Sequence, residues 1–416
     1  MSAEVKPGFK QTEVGVLPVD WEARKLGELA SFRTGPFGSA LHKSDYTNDG
    51  IPVVNPMHIL DGRIVPTTSM TITEDAAKNL EEFRLKPGEV IIGRRGDMGR
   101  CAVVSERERG WLCGTGSMIV RPSVSADAYF LQRVLSSPSI VKAIEDSSVG
   151  STMINLNQGT LSNLVVQAPK VEEQRAVAAT LSDIDTLISS LDQQIAKKRD
   201  IQQAAMQQLL TGQYRLPGFS GEWDMKRLGE IFSISTGKSK SPHTTPYGNY
   251  WIVDMGSVST EGKLIVSKRT DFGADFLNSG DLVMPKDDIG GGGIIGRAGY
   301  IDADDTYVLS DHVYRLQANF GNPLFLSFAI NGYKINSALR KKVIGSAQLG
   351  LSRKSVEEQE ISLPSFEEQT AIATILSDMD TELADLEARR NKAQQLKQGM
   401  MQELLTGRIR LTNQGV

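Results

Sequence analysis

The chain has 416 residues, of which 40% are hydrophobic and 23% charged, and it carries a formal net charge of −4 at neutral pH. That length exceeds one ordinary core and predicts roughly two to three domains, while the composition excludes wholesale disorder, which needs fewer apolar residues and more net charge. The two cysteines, Cys101 and Cys113, match neither a disulfide framework nor a zinc spacing, and no stretch is apolar enough to span a bilayer or serve as a leader. The expectation is therefore a soluble, cytoplasmic protein with no membrane contact.

In chain order, Trp21-Glu22-Ala23-Arg24-Lys25-Leu26-Gly27-Glu28 leads into Thr34-Gly35. The short apolar runs Ile51-Pro52-Val53-Val54, Val90-Ile91-Ile92 and Met118-Ile119-Val120 then read as strands, and residues 129–135 as a helix. From 171 to 211 there is neither Pro nor Gly. Leu181, Ile184, Ile188, Leu191 and Ile195 recur in that stretch at alternating steps of three and four, the seam of a coiled coil. Pro169 fits its start, Glu172 and Glu173 its positively polarised first turn, and Gly212 its C-terminal cap. A helix of roughly 40 residues would be about 60 Å long.

The pattern then begins again. Trp223-Asp224-Met225-Lys226-Arg227-Leu228-Gly229-Glu230 repeats the opening, and Thr236-Gly237 follows at the same distance. Leu264-Ile265-Val266 and Val313-Tyr314-Arg315-Leu316 read as strands, and residues 324–330 as a helix. Pro364-Ser365-Phe366-Glu367-Glu368-Gln369 repeats Pro169-Lys170-Val171-Glu172-Glu173-Gln174, and the match runs without a gap to Arg410-Leu411, the counterparts of Arg215-Leu216. The second helix carries Leu376, Met379, Leu383 and Leu386, then Arg390 and Ala393, so its seam weakens midway. Each helix has one apolar stripe and needs a partner, and the other copy, packed antiparallel, is the economical choice. The fold class is α+β: two similar globular domains, residues 1–168 and 213–363, separated by spacer helices at 169–212 and 364–412. Helices packed separately on their own domains are the alternative.

Catalytic signatures are hard to defend. Thr236-Gly237-Lys238-Ser239 resembles the end of a phosphate-binding loop, but Phe232 stands where the first glycine is required and no strong strand is expected before it. Asn55-Pro56-Met57-His58 reads as a loop after a strand. His42, His58, His243 and His312 are scattered without metal spacing, so no metal site is expected. Asp287-Asp288 and Asp302-Ala303-Asp304-Asp305 read as acidic surface loops rather than cation ligands, and Gly290-Gly291-Gly292-Gly293 as a mobile loop. Basic residues do gather in glycine-bearing loops of both copies: Arg94, Arg95 and Arg100; Lys238 and Lys240; Lys286 and Arg297. Such groups grip phosphates, and Arg can read guanine. The net charge weighs mildly against nucleic-acid binding, but a local basic stripe or partner subunits can offset it.

Two domains that each open on Trp-x4-Leu-Gly-Glu, each followed by Pro-x2-Glu-Glu-Gln, a Leu-Ser-Asp-bearing helix and Leu-Leu-Thr-Gly, resemble the specificity subunit of type I restriction-modification enzymes. Gly35-Pro36-Phe37-Gly38-Ser39-Ala40-Leu41, with Asp45-Tyr46 behind it, is similar to the start of many target-recognition domains of that family, whereas the second copy departs from it at Gly237-Lys238-Ser239-Lys240-Ser241. The resemblance implies a non-catalytic reader of double-stranded DNA, one half of a split target per domain. It also implies two methyltransferase subunits docked on helices that set the half-site spacing, and motor-nuclease subunits joining through the complex. S-adenosylmethionine, ATP and Mg would then belong to those partners, with no cofactor in this chain. On this reading the candidate DNA contacts are Phe37, Ser39, Lys43, Asn55, Arg94, Arg95, Arg100, Ser117, Lys238, Lys240, Lys286, Arg297 and His312. A protein-binding scaffold and a nuclease or methyltransferase with unfamiliar motifs are the rival readings.

Overall fold

A computed structural model of the chain describes residues 6–36, 40–147, 155–345 and 349–411. The chain forms two compact units, Met1–Ser190 with Arg390–Val416, and Leu191–Arg389. Two long helices, Val171–Leu209 and Phe366–Leu404, each contribute one part to each unit.

Unit 1 is built on an antiparallel sheet in the order Cys101–Val103, Val90–Gly93, Ser117–Pro122, Ala30–Thr34. A second sheet runs Leu112–Cys113, Ile51–Val54, Thr71–Ile72, Tyr46–Thr47, with the first pair parallel. A separate ladder joins Glu22–Lys25 to Val165–Ala168, the strand that leads into the first long helix. Strand Val90–Gly93 is buried along its whole length, which its unbroken apolar run requires. Its alternate side chains divide between two cores. Val90 and Ile92 pack with Phe130, Leu135 and the helix residues Val177, Leu181 and Leu404; Ile91 packs with Val54, Ile59 and Cys113.

Unit 2 repeats the topology of both four-stranded sheets. Its main sheet runs Phe232–Thr236, Val313–Ala318, Leu282–Pro285, Gly299–Tyr300, and its second sheet Thr244–Thr245, Arg269–Thr270, Tyr250–Val253, Tyr307–Leu309. Asp224–Arg227 pairs with Glu360–Leu363 as the equivalent ladder. The predicted strand at Leu264 does not form; only an isolated bridge to Val258 is present. The anticipated helices extend over Ala128–Leu135 and Pro323–Asn331, and two unanticipated ones follow them, Pro138–Asp146 and Tyr333–Arg340.

The long helices pair antiparallel within each unit. In unit 1, Lys397 Nζ lies 2.6 Å from Asp185. In unit 2, Lys198 meets Glu382 at 2.7 Å and Gln202 donates to Asp380 at 3.0 Å. Leu181, Ile184, Leu191, Ile195, Leu376, Leu383 and Leu386 are buried as the heptad steps demand, while Ile188 and Met379 are half-buried. Ala393 is also buried, so the seam continues where its apolar character thins. The prolines stand before the helices rather than in them: Pro169 and Pro364 precede the first helical residues by two positions. Gly212 and Gly407 adopt φ of +71° and +70°, the left-handed geometry of a helix C-terminal cap. Among the described residues no helix is long and apolar enough to cross a membrane.

The copied motifs do specific work in this packing. Gln174 accepts from Asp127 N at 2.9 Å and donates to Pro169 O, tying the start of the long helix to the start of helix Ala128–Leu135. Gln369 accepts from Asn322 N at 2.8 Å and donates to Pro364 O in the same way. Glu173 receives Arg410 and the Trp21 indole N–H, and the two oxygens of Glu368 receive Nε and Nη2 of Arg215, each at 2.6 Å. The second aspartate of each Leu-Ser-Asp-x-Asp run, Asp185 or Asp380, takes a partner-helix side chain together with a cation from the globular part, Arg133 or Lys263.

Candidate nucleic-acid interface

In each unit the two middle strands of the main sheet end at a common edge, where loops from the second sheet converge. In unit 1 Arg94 N donates to Gly116 O at 2.8 Å, Leu156 N to Arg94 O at 2.9 Å, and Gly114 N to Val54 O at 2.9 Å. In unit 2 the same frame is made by Lys286 N to His312 O at 3.1 Å, Leu351 N to Lys286 O at 2.7 Å, and Ser310 N to Val253 O at 2.9 Å. The strand registers place Val90 level with Val120 and Leu282 level with Leu316, so positions in the two units correspond one for one. Asn55 matches Asp254, Arg94 matches Lys286, Arg95 matches Asp287, Arg100 matches Arg297, and Gly116 matches His312. Close approach explains the glycines. A Cβ on Gly114 would stand 2.3 Å from Asn55 Oδ1, and one on Gly35 would stand 2.0 Å from Gly114 O.

The candidate side chains divide into two groups. Arg95, Lys43 and Lys238 are exposed and Lys286 half-exposed, and none of their side chains has a polar partner among the described residues. Arg100 is half-buried and paired with Asp97, and Asn55 accepts from Gly116 N at 3.3 Å. His312 is half-exposed, with Nδ1 2.7 Å from Asp287 Oδ2.

The second group of candidate contacts is turned into the fold. Arg94 is buried, its Nε donating to Leu156 O at 2.9 Å and an Nη to Asn155 at 3.2 Å. Burial, and then the neighbouring Arg95, press its guanidinium pKa down. Ser117 is fully buried within the strand, its hydroxyl unpartnered among the described residues. Lys240 is fully buried as well, 2.7 Å from Asp275 and 5.7 Å over the Phe272 ring; that hydrogen bond holds the Asp275 carboxyl below its usual range. Arg297 is half-buried and donates to Asn331 O at 2.8 Å, capping a helix end. Phe37 and Ser39 lie outside the described residues.

A strand, Phe232–Thr236, does precede Gly237-Lys238-Ser239, but a three-residue turn, Ser241–His243, follows in place of the helix whose N-terminus would cradle phosphate. The acidic loops are occupied internally. Asp302 accepts from the Tyr307 hydroxyl, Asp304 from Ser279 N, and Asp288 from Gly290 N. Among the described residues no three His, Cys, Asp or Glu side chains gather to hold a metal.

Two signals were missed from sequence alone. Asp287 orients His312, and Lys268 pairs with Asp254 at 2.5 Å on the edge of unit 2. The first was legible as an acidic residue at the strand end; the second depends on a loop return that carries no local motif.

Two stretches of the chain, residues 18–198 and 220–398, match the type I restriction modification DNA specificity domain, and the chain belongs to that family. The relatives it resembles are specificity subunits, not the subunits that carry catalysis. The putative type I restriction enzyme MjaX specificity subunit of Methanocaldococcus jannaschii is 25% identical, over 97% of each chain. The MjaVIII specificity subunit of the same organism is 23% identical, over 97% of this chain and 96% of its own. In fold, the chain resembles the type I restriction-modification S subunit from M. genitalium, with a TM-score of 0.63 at 17% identity over 96% of this chain and 98% of that one.

Proposed function

We propose that this chain is the DNA-reading subunit of a type I restriction-modification complex and that it recognises a split, asymmetric target. Residues 1–168 and 213–363 act as target-recognition domains, one half-site each. The observation that carries this is the pair of equivalent edges: one hydrogen-bonded backbone frame holds Asn55, Arg95 and Gly116 in unit 1 but Asp254, Asp287 and His312 in unit 2. Identical frames with different donors and acceptors suit two different base sequences. We assign Arg95, Arg100 and Lys43 in unit 1 and Lys238 and Lys286 in unit 2 to phosphate or base contacts, a reading supported by their exposed or half-exposed basic side chains. Mapping modified adenines in the source genome tests the reading. It expects two different short half-sites at a fixed gap, and a contiguous or palindromic target overturns it.

The helices at 169–212 and 364–412 serve as spacer and as docking surface for two methyltransferase subunits, through which motor-nuclease subunits join. S-adenosylmethionine, ATP and Mg then act on those partners, in the cytoplasm. Exposed Leu187, Ile201 and Leu396 on the helices, and an apolar groove of about 650 Å³ lined by Thr180, Leu396, Met400 and Ile409 in unit 1, support a covering partner. Because Asp185 faces Lys397, one heptad inserted after Thr186 needs a matching heptad beside Lys397. That paired insertion adds about 10 Å of helix and should lengthen the preferred gap by about three base pairs; an unchanged gap removes the spacer role.

A further inference from the structure

We propose that His312, held by Asp287, is a base-reading residue of unit 2, accepting through Nε2 a hydrogen bond from the exocyclic amino group of an adenine or cytosine in the major groove. This rests on the DNA-reading function proposed above and names one determinant within it.

The geometry assigns the atoms. Asp287 Oδ2 lies 2.7 Å from His312 Nδ1, and an ionised carboxylate only accepts, so Nδ1 carries the proton. In the neutral ring Nε2 is then a bare acceptor. The carboxyl of Asp311 is 3.7 Å from Nε2, too far for a hydrogen bond, and the imidazole is 50% exposed. Adenine N6 and cytosine N4 are the donors that bases show in the major groove. Both residues sit on strand ends fixed by main-chain bonds: His312 O accepts from Lys286 N, and Asp287 pairs with Gly350. Such backing holds a recognition group in place before the ligand arrives. Lys286, half-exposed beside them, is available for a flanking phosphate.

The fold does not need this dyad. In unit 1 the seat of His312 is Gly116 and the seat of Asp287 is Arg95, yet the main-chain bond between the two loops is conserved at 2.8 Å. A single hydrogen bond to a half-exposed imidazole adds little stability. An oriented imidazole that the scaffold can dispense with is best explained by what it presents outward.

The test uses the full chain assembled with its methyltransferase subunits and a duplex library randomised across the second half-site. H312A should relax one A- or C-bearing position by about tenfold, with affinity for non-cognate duplex and the thermal midpoint retained. D287N, whose amide oxygen still accepts from Nδ1, should keep the preference that D287A loses. An even loss of affinity over all sequences, no change in any position, or equal behaviour of D287N and D287A overturns the assignment. Wild type that ignores the second half-site altogether would instead sink the wider reading.

Discussion

Arg410 lies over the indole of Trp21, 5.7 Å from the ring centroid, and grips Glu173 and Asp20 with both edges of its guanidinium. The two residues come from opposite ends of the sequence. In unit 2 Arg215 repeats the placement over Trp223 and the grip on Glu368, but its Nη1 donates to Gly221 O and the Trp223 indole N–H has no partner among the described residues. These bonds, to Glu173 foremost, hold the Arg410 guanidinium pKa far above its ordinary value. R410A leaves Glu173, 7% exposed, as a buried charge without its cation, and should cost about 2–4 kcal/mol. Urea denaturation with hydrogen exchange should locate the loss around Trp21. R215A should act likewise around Trp223, and the two effects should add.

Acid should weaken the same contact. The hydrogen bond from Arg410 lowers the Asp20 pKa, and that from Lys240 lowers the Asp275 pKa. A carboxylate depressed in the folded state adds stability that is present above its unfolded value and lost as pH falls through the folded one, here below about pH 4. Denaturation midpoints measured from pH 6 to pH 3 should fall less steeply in D20N than in wild type. A parallel pair of curves would contradict the assignment.

Lys238 and Lys240, two positions apart, should separate binding from folding. K238A should leave the thermal midpoint unchanged, weaken duplex binding and lower the salt dependence of log K by about 1, the signature of one phosphate contact. K240A empties a buried site and strands Asp275, so it should lower the midpoint of unit 2 by several degrees. Equal effects of the two substitutions would show that loop 238–240 rearranges on DNA.

Arg94 and Arg95 make the matching pair in unit 1. R94A removes the tie to Leu156 and should reduce cognate affinity through a displaced loop, leaving the salt slope intact. R95A should lower the slope by about 1 with the fold unaffected. Filter binding across a salt series distinguishes them.

Much of the architecture was legible. Heptad spacing located both long helices, and the repeated openings predicted two units of one topology. The motif Glu-Glu-Gln was visible as a repeat, but its work was not, because Gln174 bonds Asp127 N and Glu173 bonds Arg410 through long-range packing. The basic loops were legible as sequence clusters, yet Arg94 and Lys240 turned inward. Charge type does not reveal direction when a carbonyl such as Leu156 O, or a carboxylate such as Asp275, waits on the other side of the backbone. Leu264-Ile265-Val266 has strand composition, but its pairing stops at the single bridge from Leu264 to Val258, so no strand extends from it.

The glycine at 116 and the histidine at 312 occupy one seat on one backbone. At 312 the main chain supplies the bonds that hold the edge, so on the proposed reading a replacement should leave folding almost untouched while changing which bases fit. At 116 a Cβ would stand 2.9 Å from Pro56 Cδ, so there close packing keeps the glycine. On that reading, stability and target choice in unit 2 would be inherited through different residues. A lineage carrying this scaffold could acquire a new target in a single step, without passing through an unfolded intermediate sequence.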